Sequence, residues 1–285
     1  MTTVGSEQTD AKAVLVSFSG RLYLIWAGTD NPHHLYVVWS TNPSNTWDTT
    51  AKVRLTDTTI SGQGPAAVVF NNSLYMAWTG TDTPGHLNVG VYTGASTLSS
   101  HTTLSETSNT SPALAVAGGR LYLAWVGSDP MRHLNLISSS DGVHWSNKIT
   151  LNDTAAFGPA MAYYQGTCSN PGIWIAWAGT DSNNTPNTAW FTGAGLACKV
   201  THSGEHSDGD MSMLSGGGYL HAYYPGQLGC VNNDTTGNGV TWDDVNMAPF
   251  CTLVGTSPGI GVASYAGTVY WAFGGNGITV EPAAY

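Results

Sequence analysis

Short stretches of alternating or consecutive apolar residues recur along the whole chain, and several of them end on a large aromatic residue. One runs from Leu121 to Trp125, between a Gly-Gly turn and a Gly-Ser-Asp-Pro turn. Apolar stretches of about four to eight residues that are bounded by turn residues are typical of β-strands. Since no stretch keeps helical spacing beyond two turns, the pattern predicts an all-β protein.

The aromatic residue that closes such a stretch recurs six times, at intervals of 46 to 52 residues. The six residues are Trp26, Trp78, Trp125, Trp177, Tyr223 and Phe273. A period of roughly 40 to 50 residues made of short strands and turns is typical of a β-propeller, with one blade per repeat. We expect the tryptophan rings to pack between adjacent blades rather than to face a ligand.

Each repeat has room for four strands, except the last, which lacks space for its fourth. In the third repeat we expect strands at 112–117, 120–126, 133–138 and 148–151. The N-terminal segment 2–7 aligns with segment 102–107, which leads from an outer strand into the next blade. We therefore predict that the N-terminal strand completes the last blade. The result is one domain, residues 1–285, folded as a six-bladed β-propeller of four-stranded blades without a free sheet edge.

Composition narrows the range of partners. The net charge is −10 with only 8 Lys and Arg, so the chain would repel a phosphate backbone, and we exclude nucleic acid as a partner. No apolar run reaches the roughly 18 to 20 residues that span a bilayer, so no membrane span is expected. The first residues have neither a basic region nor an apolar core, which leaves export by another route, a removed signal or an intracellular location open.

The four cysteines form two local pairs, Cys168 with Cys198 and Cys230 with Cys251. In the predicted topology each pair lies at the edge of one blade, where a disulfide is geometrically reasonable. Disulfides persist in oxidising compartments, so they would indicate an extracellular, secreted protein. The alternative is four buried thiols.

The segment Ser139–Trp145, with the sequence SSDGVHW, resembles the Asp-box of the sialidase superfamily with one residue fewer, and Asn238–Trp242 is similar to the end of that motif. The resemblance implies a six-bladed propeller in which the motif is structural. For an active sialidase it also implies an arginine triad, a Tyr nucleophile assisted by Glu, and an Asp acid. The chain has four arginines, Arg21, Arg54, Arg120 and Arg132. Two of these, Arg21 and Arg120, occupy the same repeat position at the far end of a strand and cannot converge on one carboxylate, so sialidase activity is not expected.

The loop between the second and third strands repeats a Gly-Thr/Ser-Asp motif, followed four residues later by His. In a propeller this loop lies on the face that usually carries the site. Asp and His can bind sugar hydroxyls, and several equivalent copies would make a multivalent lectin. Alternatively, each pair only stabilises its own turn. Because the copies lie on separate blades, no metal site is expected. The residues are Asp30 with His34, Asp82 with His86, Asp129 with His133, and Asp181, after which Thr185 takes the place of His.

An acidic residue ends the fourth strand of five repeats, at Glu7, Asp57, Glu106, Asp153 and Glu205. We expect these acids to ring the mouth of the central channel. There they would accept N–H groups of their own turns, bind a cation such as calcium, or contact a sugar. No other cofactor is expected.

Segment 202–210, with the sequence HSGEHSDGD, is the junction richest in acidic and basic groups. It contains His-x-x-Glu-His, but its Gly and Ser residues disfavour the helix that this zinc-protease motif requires. A solvated acidic loop and a single catalytic or metal site both stay open. If the protein is an enzyme, the catalytic candidates are Glu205, His206, Asp208 and Asp210, with Asp153 from the neighbouring blade.

The leading hypothesis is a lectin-like propeller that binds glycans or polysaccharide on its loop face. Several similar copies suit a multivalent binder, whereas an enzyme needs one asymmetric site. The alternatives are an extracellular glycoside hydrolase or lyase that uses a carboxylate pair, and a protein-interaction scaffold. The oligomeric state is left open.

Overall fold

The computed structural model describes residues 2–168, 171–226, 230–244, 259–275 and 277–283. In this part of the chain, 24 strands form six antiparallel sheets of four strands, arranged as the blades of a β-propeller. The predicted all-β, six-bladed architecture is confirmed.

The chain opens with β1 (Thr2–Thr3), which belongs to the last blade. Blade one contains β2 (Val14–Phe18), β3 (Arg21–Ala27), β4 (Leu35–Ser40) and β5 (Val53–Arg54). Blade two contains β6 (Ala66–Phe70), β7 (Ser73–Thr79), β8 (His86–Tyr92) and β9 (Ser99–Thr107). Blade three contains β10 (Ala113–Ala117), β11 (Arg120–Val126), β12 (His133–Ser139) and β13 (Ser146–Thr154).

Blade four contains β14 (Ala160–Tyr164), β15 (Gly172–Ala178), β16 (Pro186–Phe191) and β17 (Leu196–Thr201). Blade five contains β18 (Ser212–Gly216), β19 (Tyr219–Pro225), β20 (Val231–Thr236) and β21 (Asp243–Asp244). Blade six contains β22 (Ile260–Tyr265), β23 (Thr268–Phe273) and β24 (Thr279–Pro282), with β1 as its outermost strand.

The two ends of the chain meet in blade six, as predicted. Thr2 lies opposite Val280 and Thr3 opposite Thr279 in an antiparallel pair. Val4, directly after β1, is fully buried in the core between blades six and one. Pairing the first strand with the last sheet closes the ring and removes an edge that would otherwise expose unpaired backbone groups.

Large aromatic side chains fill the space between neighbouring blades. Trp26 packs between blades six and one, Trp78 between blades one and two, and Trp125 between blades two and three. Each of these three side chains is only 1% exposed. Burying one tryptophan removes roughly 150 to 250 Å² from water, so these rings stabilise the contacts between blades.

In blade five, Tyr224 occupies the position that the tryptophans fill between neighbouring blades. The sequence-based assignment of Tyr223 to this position is therefore wrong by one residue. Tyr224 lies opposite Asn232 in its sheet, just as Trp125 lies opposite Asn135. Tyr224 packs towards blade four, whereas Tyr223 packs towards blade six. The two adjacent tyrosines point to opposite faces of the strand, and the spacing between repeats fits either one.

The turn between β12 and β13 is held by Asp141. Its Oδ1 accepts the N–H groups of Val143 at 2.9 Å and His144 at 2.8 Å, and the Ser139 hydroxyl donates to it at 3.0 Å. Gly142 adopts φ 79°, in the left-handed region that favours glycine. The motif therefore stabilises a turn.

Blade five builds the same turn from different residues. Asn238 Oδ1 accepts the N–H groups of Val240 at 2.8 Å and Thr241 at 2.9 Å. The Thr236 hydroxyl accepts the N–H of Gly239 at 2.8 Å, in the place of the Ser139 hydroxyl of blade three. Thr and Asn thus provide the part of the motif that could not be aligned from the sequence.

Side chains from three blades close the mouth of the central axis. Asp210 Oδ1 accepts the Gly158 N–H at 2.6 Å, and its other oxygen accepts the Ser111 hydroxyl. The Lys12 ammonium donates to the Met211 carbonyl at 3.0 Å. Burial lowers the pKa of Lys12, and the charge of Asp210 opposes that shift. This network connects blades that are not neighbours in the ring.

A disulfide joins Cys168, in the loop after β14, to Cys198 on β17, with their Cα atoms 6.3 Å apart. The predicted bridge within blade four is therefore confirmed. The predicted pair Cys230 with Cys251 lies outside the described residues, because they do not include Cys251. Across the described ranges there is no helix with the length and apolar character to cross a membrane.

Candidate functional site

The predicted Asp and His residues meet within the loops that follow β3, β7 and β11. In blade three, Asp129 Oδ2 accepts the His133 N–H at 3.2 Å, and its Oδ1 lies 2.7 Å from His133 Nδ1. The Gly127 N–H donates to the His133 carbonyl at 2.8 Å and closes the loop. Asp30 with His34 and Asp82 with His86 form the same contacts.

In blade four the loop keeps the geometry with a hydroxyl in place of the imidazole. The Thr185 hydroxyl donates to Asp181 at 2.9 Å, and the Thr185 N–H donates to the same carboxylate at 3.2 Å. Burial acts to raise the pKa of Asp181, but hydrogen bonds from Asn183 and Thr185 outweigh it and lower the pKa. These loop carboxylates are therefore charged acceptors at neutral pH.

The same balance applies to the three carboxylates paired with histidine. Burial acts to raise the pKa of Asp129, but hydrogen bonds from the His133 ring and backbone outweigh it, and the pKa is lowered. The pKa values of Asp30 and Asp82 are lowered in the same way by His34 and His86. Each ring is held by its partner carboxylate in one orientation.

A second polar pair lies beside each loop in blades two, three and four, and sequence reasoning missed it. In blade three, Asn135 Nδ2 donates to the His133 carbonyl at 2.8 Å, and the Thr150 hydroxyl donates to Asn135 Oδ1 at 2.6 Å. The equivalent pairs are Asn88 with Thr103 and Asn187 with Thr201. The repeated His-Leu-Asn at 86–88 and 133–135 could have revealed the asparagine.

Three of the five acids that end the outer strands form ion pairs with lysines of the next blade, while Asp57 accepts the Leu98 N–H at 3.0 Å and Glu205 contacts residues of blade five. The pairs have N–O distances of 2.5 to 2.6 Å and are Glu7 with Lys52, Glu106 with Lys148, and Asp153 with Lys199. The prediction that the acids ring the central channel is therefore wrong. The outermost strands lie farthest from the axis, and an acid at their end faces the neighbouring outer strand.

The cleft between blades two and three brings these groups together around a cavity of about 420 Å³. Its principal lining side chains are Glu106, Trp125, Asp129, His133, Lys148 and Thr150. The Lys148 ammonium lies 5.7 Å from the centre of the Trp125 ring. Because the indole is buried beneath these groups, the accessible wall of the cleft is formed by the charged and polar side chains.

Blade one departs from this arrangement, because its loop groups are engaged by neighbouring side chains. Tyr36 stands where blades two to five have Asn, and it stacks on Trp26 with ring centres 5.6 Å apart. Arg54 Nη2 lies 3.0 Å from His34 Nδ1, and Arg54 Nε lies 3.5 Å from Asp30 Oδ2. The His34 side chain is only 8% exposed, so this cleft offers little to a ligand.

The cleft between blades four and five holds a cluster of acids. Glu205 Oε2 accepts the Asn232 amide at 3.2 Å and the Tyr224 hydroxyl at 3.3 Å. Burial raises the pKa of Glu205, and the charges of Asp244 and Asp234 raise it further. Burial and Asp234 raise the pKa of Asp244 as well, against a hydrogen bond with Glu205.

The catalytic candidates divide between separate places. Asp208 and Asp210 both line a cavity of about 330 Å³ over the mouth of the axis. Glu205 lies in the outer cleft of blade five, and Asp153 is paired with Lys199 in the outer cleft of blade four. His206 Nε2 lies 2.5 Å from Asp208 Oδ1. Within the described ranges, no group of three or more His, Cys, Asp and Glu residues is arranged to hold a metal ion.

Comparison with known proteins identifies a fold. No family model matches the chain, and no curated protein matches its sequence. An Aleuria aurantia lectin in complex with Fucα1-6GlcNAc is similar over 98% of this chain and 96% of its own, with a TM-score of 0.61 and 12% identity. A Xanthomonas citri GH43_1 enzyme complexed with xylotriose is similar over 100% of this chain and 89% of its own, with a TM-score of 0.59 and 12% identity.

A Trypanosoma rangeli sialidase in complex with the inhibitor DANA gives a TM-score of 0.64 at 12% identity, over 96% of this chain and 54% of its own. The chain thus shares its fold with a lectin, a GH43_1 enzyme and a sialidase. At this level of identity the likeness is one of architecture, a six-bladed β-propeller, and the predicted resemblance to sialidase-like propellers is confirmed at that level.

Proposed function

We propose that this protein binds carbohydrate in a lectin-like manner, through clefts between adjacent blades. The observation that carries the proposal is the repetition of one polar arrangement in blades two, three and four. Each copy contains a loop aspartate and an Asn–Thr pair, beside a buried tryptophan. An enzyme needs one such site, whereas a multivalent binder uses several similar ones.

The chemistry of the cleft between blades two and three suits a sugar. Its volume of about 420 Å³ falls within the range of small-molecule sites. Asp129 and Glu106 offer acceptors, Lys148 offers donors, and His133 can serve as either, which matches the mixed donor and acceptor character of sugar hydroxyls. The lectin and the GH43_1 enzyme of the same fold, bound to Fucα1-6GlcNAc and xylotriose, add support.

We assign the sites to three loop groups: Asp82 with His86, Asp129 with His133, and Asp181 with Thr185. The pair Asp30 with His34 has a structural role in this proposal, because Arg54 and Tyr36 occupy its surroundings. The disulfide within blade four supports an extracellular location, where free glycans are available.

A glycan array would first identify the sugar, and titration calorimetry would then give the stoichiometry, which we expect to be about three. Lys148→Met and Lys199→Met should each remove about one site. Lys52→Met is the matched control, because it breaks an equivalent ion pair beside the closed cleft of blade one. Chelation of metal ions should leave binding unchanged. Failure to bind any glycan, or equal effects of all three lysine variants, would contradict the proposal.

The hydrolase alternative has weaker support. A raised pKa suits Glu205 for general acid catalysis, and Asp244 provides a second carboxylate beside it. The two carboxylates hydrogen-bond to each other, however, whereas paired carboxylates of glycosidases are generally about 5 Å or more apart. Turnover of a polysaccharide that disappears in Glu205→Gln would favour the hydrolase over the lectin.

A further inference from the structure

A second cleft opens between blades one and two, towards the face opposite the Asp-His loops. Its cavity is about 470 Å³, and its lining includes four aromatic residues and one arginine beside small apolar and polar residues. Arg21 begins β3, at the end of the strand opposite to the Asp30 loop. Its guanidinium lies 3.7 Å from the centre of the Trp39 ring, in a cation–π contact.

The same repeat position in blade three shows why Arg21 is unusual. Arg120 donates to the Ser138 hydroxyl at 3.0 Å. In blade one the residue equivalent to Ser138 is Trp39, which has no acceptor to offer. Among the described residues, Arg21 therefore has neither a hydrogen bond nor an ion pair. The N–H donors of its planar guanidinium group therefore remain available to a ligand in the cleft.

The other walls of the cleft carry aromatic rings whose edges and hydroxyl groups reach the cavity. Tyr23 and Tyr92 pack edge to face, with ring centres 6.3 Å apart. Neither tyrosine hydroxyl has a partner among the described residues, and neither hydroxyl is sealed from solvent. Phe18 adds a half-buried apolar surface. The cleft thus combines hydroxyl groups, aromatic surface and one positive charge.

We propose that this cleft is a second binding site, specific for a sugar that carries a carboxylate, such as a uronic acid. An arginine binds a planar carboxylate through two parallel hydrogen bonds. One unneutralised positive charge matches a singly charged anion. Arg21 is the one charged side chain among the residues that line this cavity, in a chain with a net charge of −10. The site lies on different residues from the lectin clefts and does not depend on them.

The test compares methyl glucuronide with methyl glucoside, which share a ring and differ in the carboxylate. Both are titrated into the wild-type protein, Arg21→Gln, Arg21→Lys and the matched control Arg120→Gln. Glucuronide should bind the wild-type protein more tightly than glucoside, and Arg21→Gln should weaken it about tenfold to a hundredfold. Arg21→Lys should weaken glucuronide binding less than Arg21→Gln does, because lysine keeps the positive charge but cannot form the two parallel hydrogen bonds. Arg120→Gln should change it by less than about twofold.

Thermal unfolding of each variant confirms that it is folded, and Arg21→Lys keeps the test open if Arg21→Gln does not fold. Lys148→Met alters the lectin cleft between blades two and three, so the part of glucuronide binding that Arg21→Gln removes should be kept in this variant. Equal affinity for the two sugars, unchanged glucuronide binding in Arg21→Gln, or loss of the Arg21-dependent part of glucuronide binding in Lys148→Met would each overturn the proposal.

Discussion

Removing the Asp210 carboxylate should destabilise the whole propeller, because three groups at the axis depend on it. Its oxygens accept the Gly158 N–H and the Ser111 hydroxyl, and its charge acts on the Lys12 ammonium. Asp210 and Lys12 are each only 6% exposed. In Asp210→Ala the ammonium remains buried without its countercharge.

The size of the effect follows from that burial. Removing one partner of a direct buried ion pair costs about 3–5 kcal/mol. Among the described residues Asp210 acts on Lys12 through its charge without a direct ion pair, so this range is an upper bound for the charge effect alone. The Gly158 N–H and the Ser111 hydroxyl would lose their acceptor, and each would add about 1–3 kcal/mol to the loss of stability if no water replaced it. A truncated side chain leaves room for water at the mouth of the axis, which offsets much of that second cost. We therefore expect Asp210→Ala to lower the free energy of unfolding by about 3–5 kcal/mol.

Urea unfolding followed by tryptophan fluorescence measures this change, because the tryptophans lie between the blades. A double-mutant cycle of Lys12→Met with Asp210→Asn isolates the charge interaction. Asparagine keeps an acceptor for the Gly158 N–H, and Lys12→Met then removes the unbalanced charge. A loss below about 1 kcal/mol in Asp210→Ala, or a cycle that is additive within about 0.5 kcal/mol, would refute the reasoning.

Three further substitutions test other parts of the structure. The pKa of Glu205 is raised in the folded state, so its contribution to stability is full below its unfolded pKa and is lost as pH rises through the folded pKa. Glu205→Gln should therefore gain stability relative to wild type between pH 4 and pH 7, measured by thermal unfolding, and a constant difference across that range would contradict this. Val4→Ala should cost about 2 kcal/mol in urea unfolding, because the side chain is fully buried at the ring closure, and a change under about 0.5 kcal/mol would argue against that closure. Gly142→Ala should lower the free energy of unfolding more than Gly20→Ala does. Both glycines have positive φ, but only at Gly142 would the new Cβ lie 2.3 Å from the Tyr75 ring. Equal losses of stability in the two variants would show that the clash is relieved.

The strands could be predicted from the sequence because their signal is local. The alternation of apolar and polar residues, bounded by turn residues, predicted the third strand of blade three at 133–138, and the structure has it at His133–Ser139. Its fourth strand was predicted at 148–151 but runs over Ser146–Thr154. The outer strand has few buried residues, so the alternation that marks a strand is weak at its ends.

The clefts could not be predicted, because they depend on which residues meet across two blades. The partner of Glu106 is Lys148, 42 residues further on, and no local pattern links them. Arg21 and Arg120 occupy the same repeat position, yet their surroundings differ because Trp39 replaces Ser138. Contacts of this kind are set by packing between sheets, which the strand period leaves undetermined.

Glu106 and Glu205 show how one repeat position acquires two electrostatic roles. Glu106 faces Lys148 in the next blade, so the cleft between blades two and three contains charges of both signs. Glu205 faces Asp234 and Asp244 instead, and its proton is held more tightly. Burial and neighbouring acids raise the pKa values of Glu205 and Asp244, whereas hydrogen bonds from His133 lower the pKa of Asp129 in the cleft between blades two and three. A fall in pH should therefore protonate Glu205 and Asp244 before it protonates Asp129. Sugar binding that depends on the Asp129 carboxylate should persist at a pH where the blade-five cleft has already changed its charge.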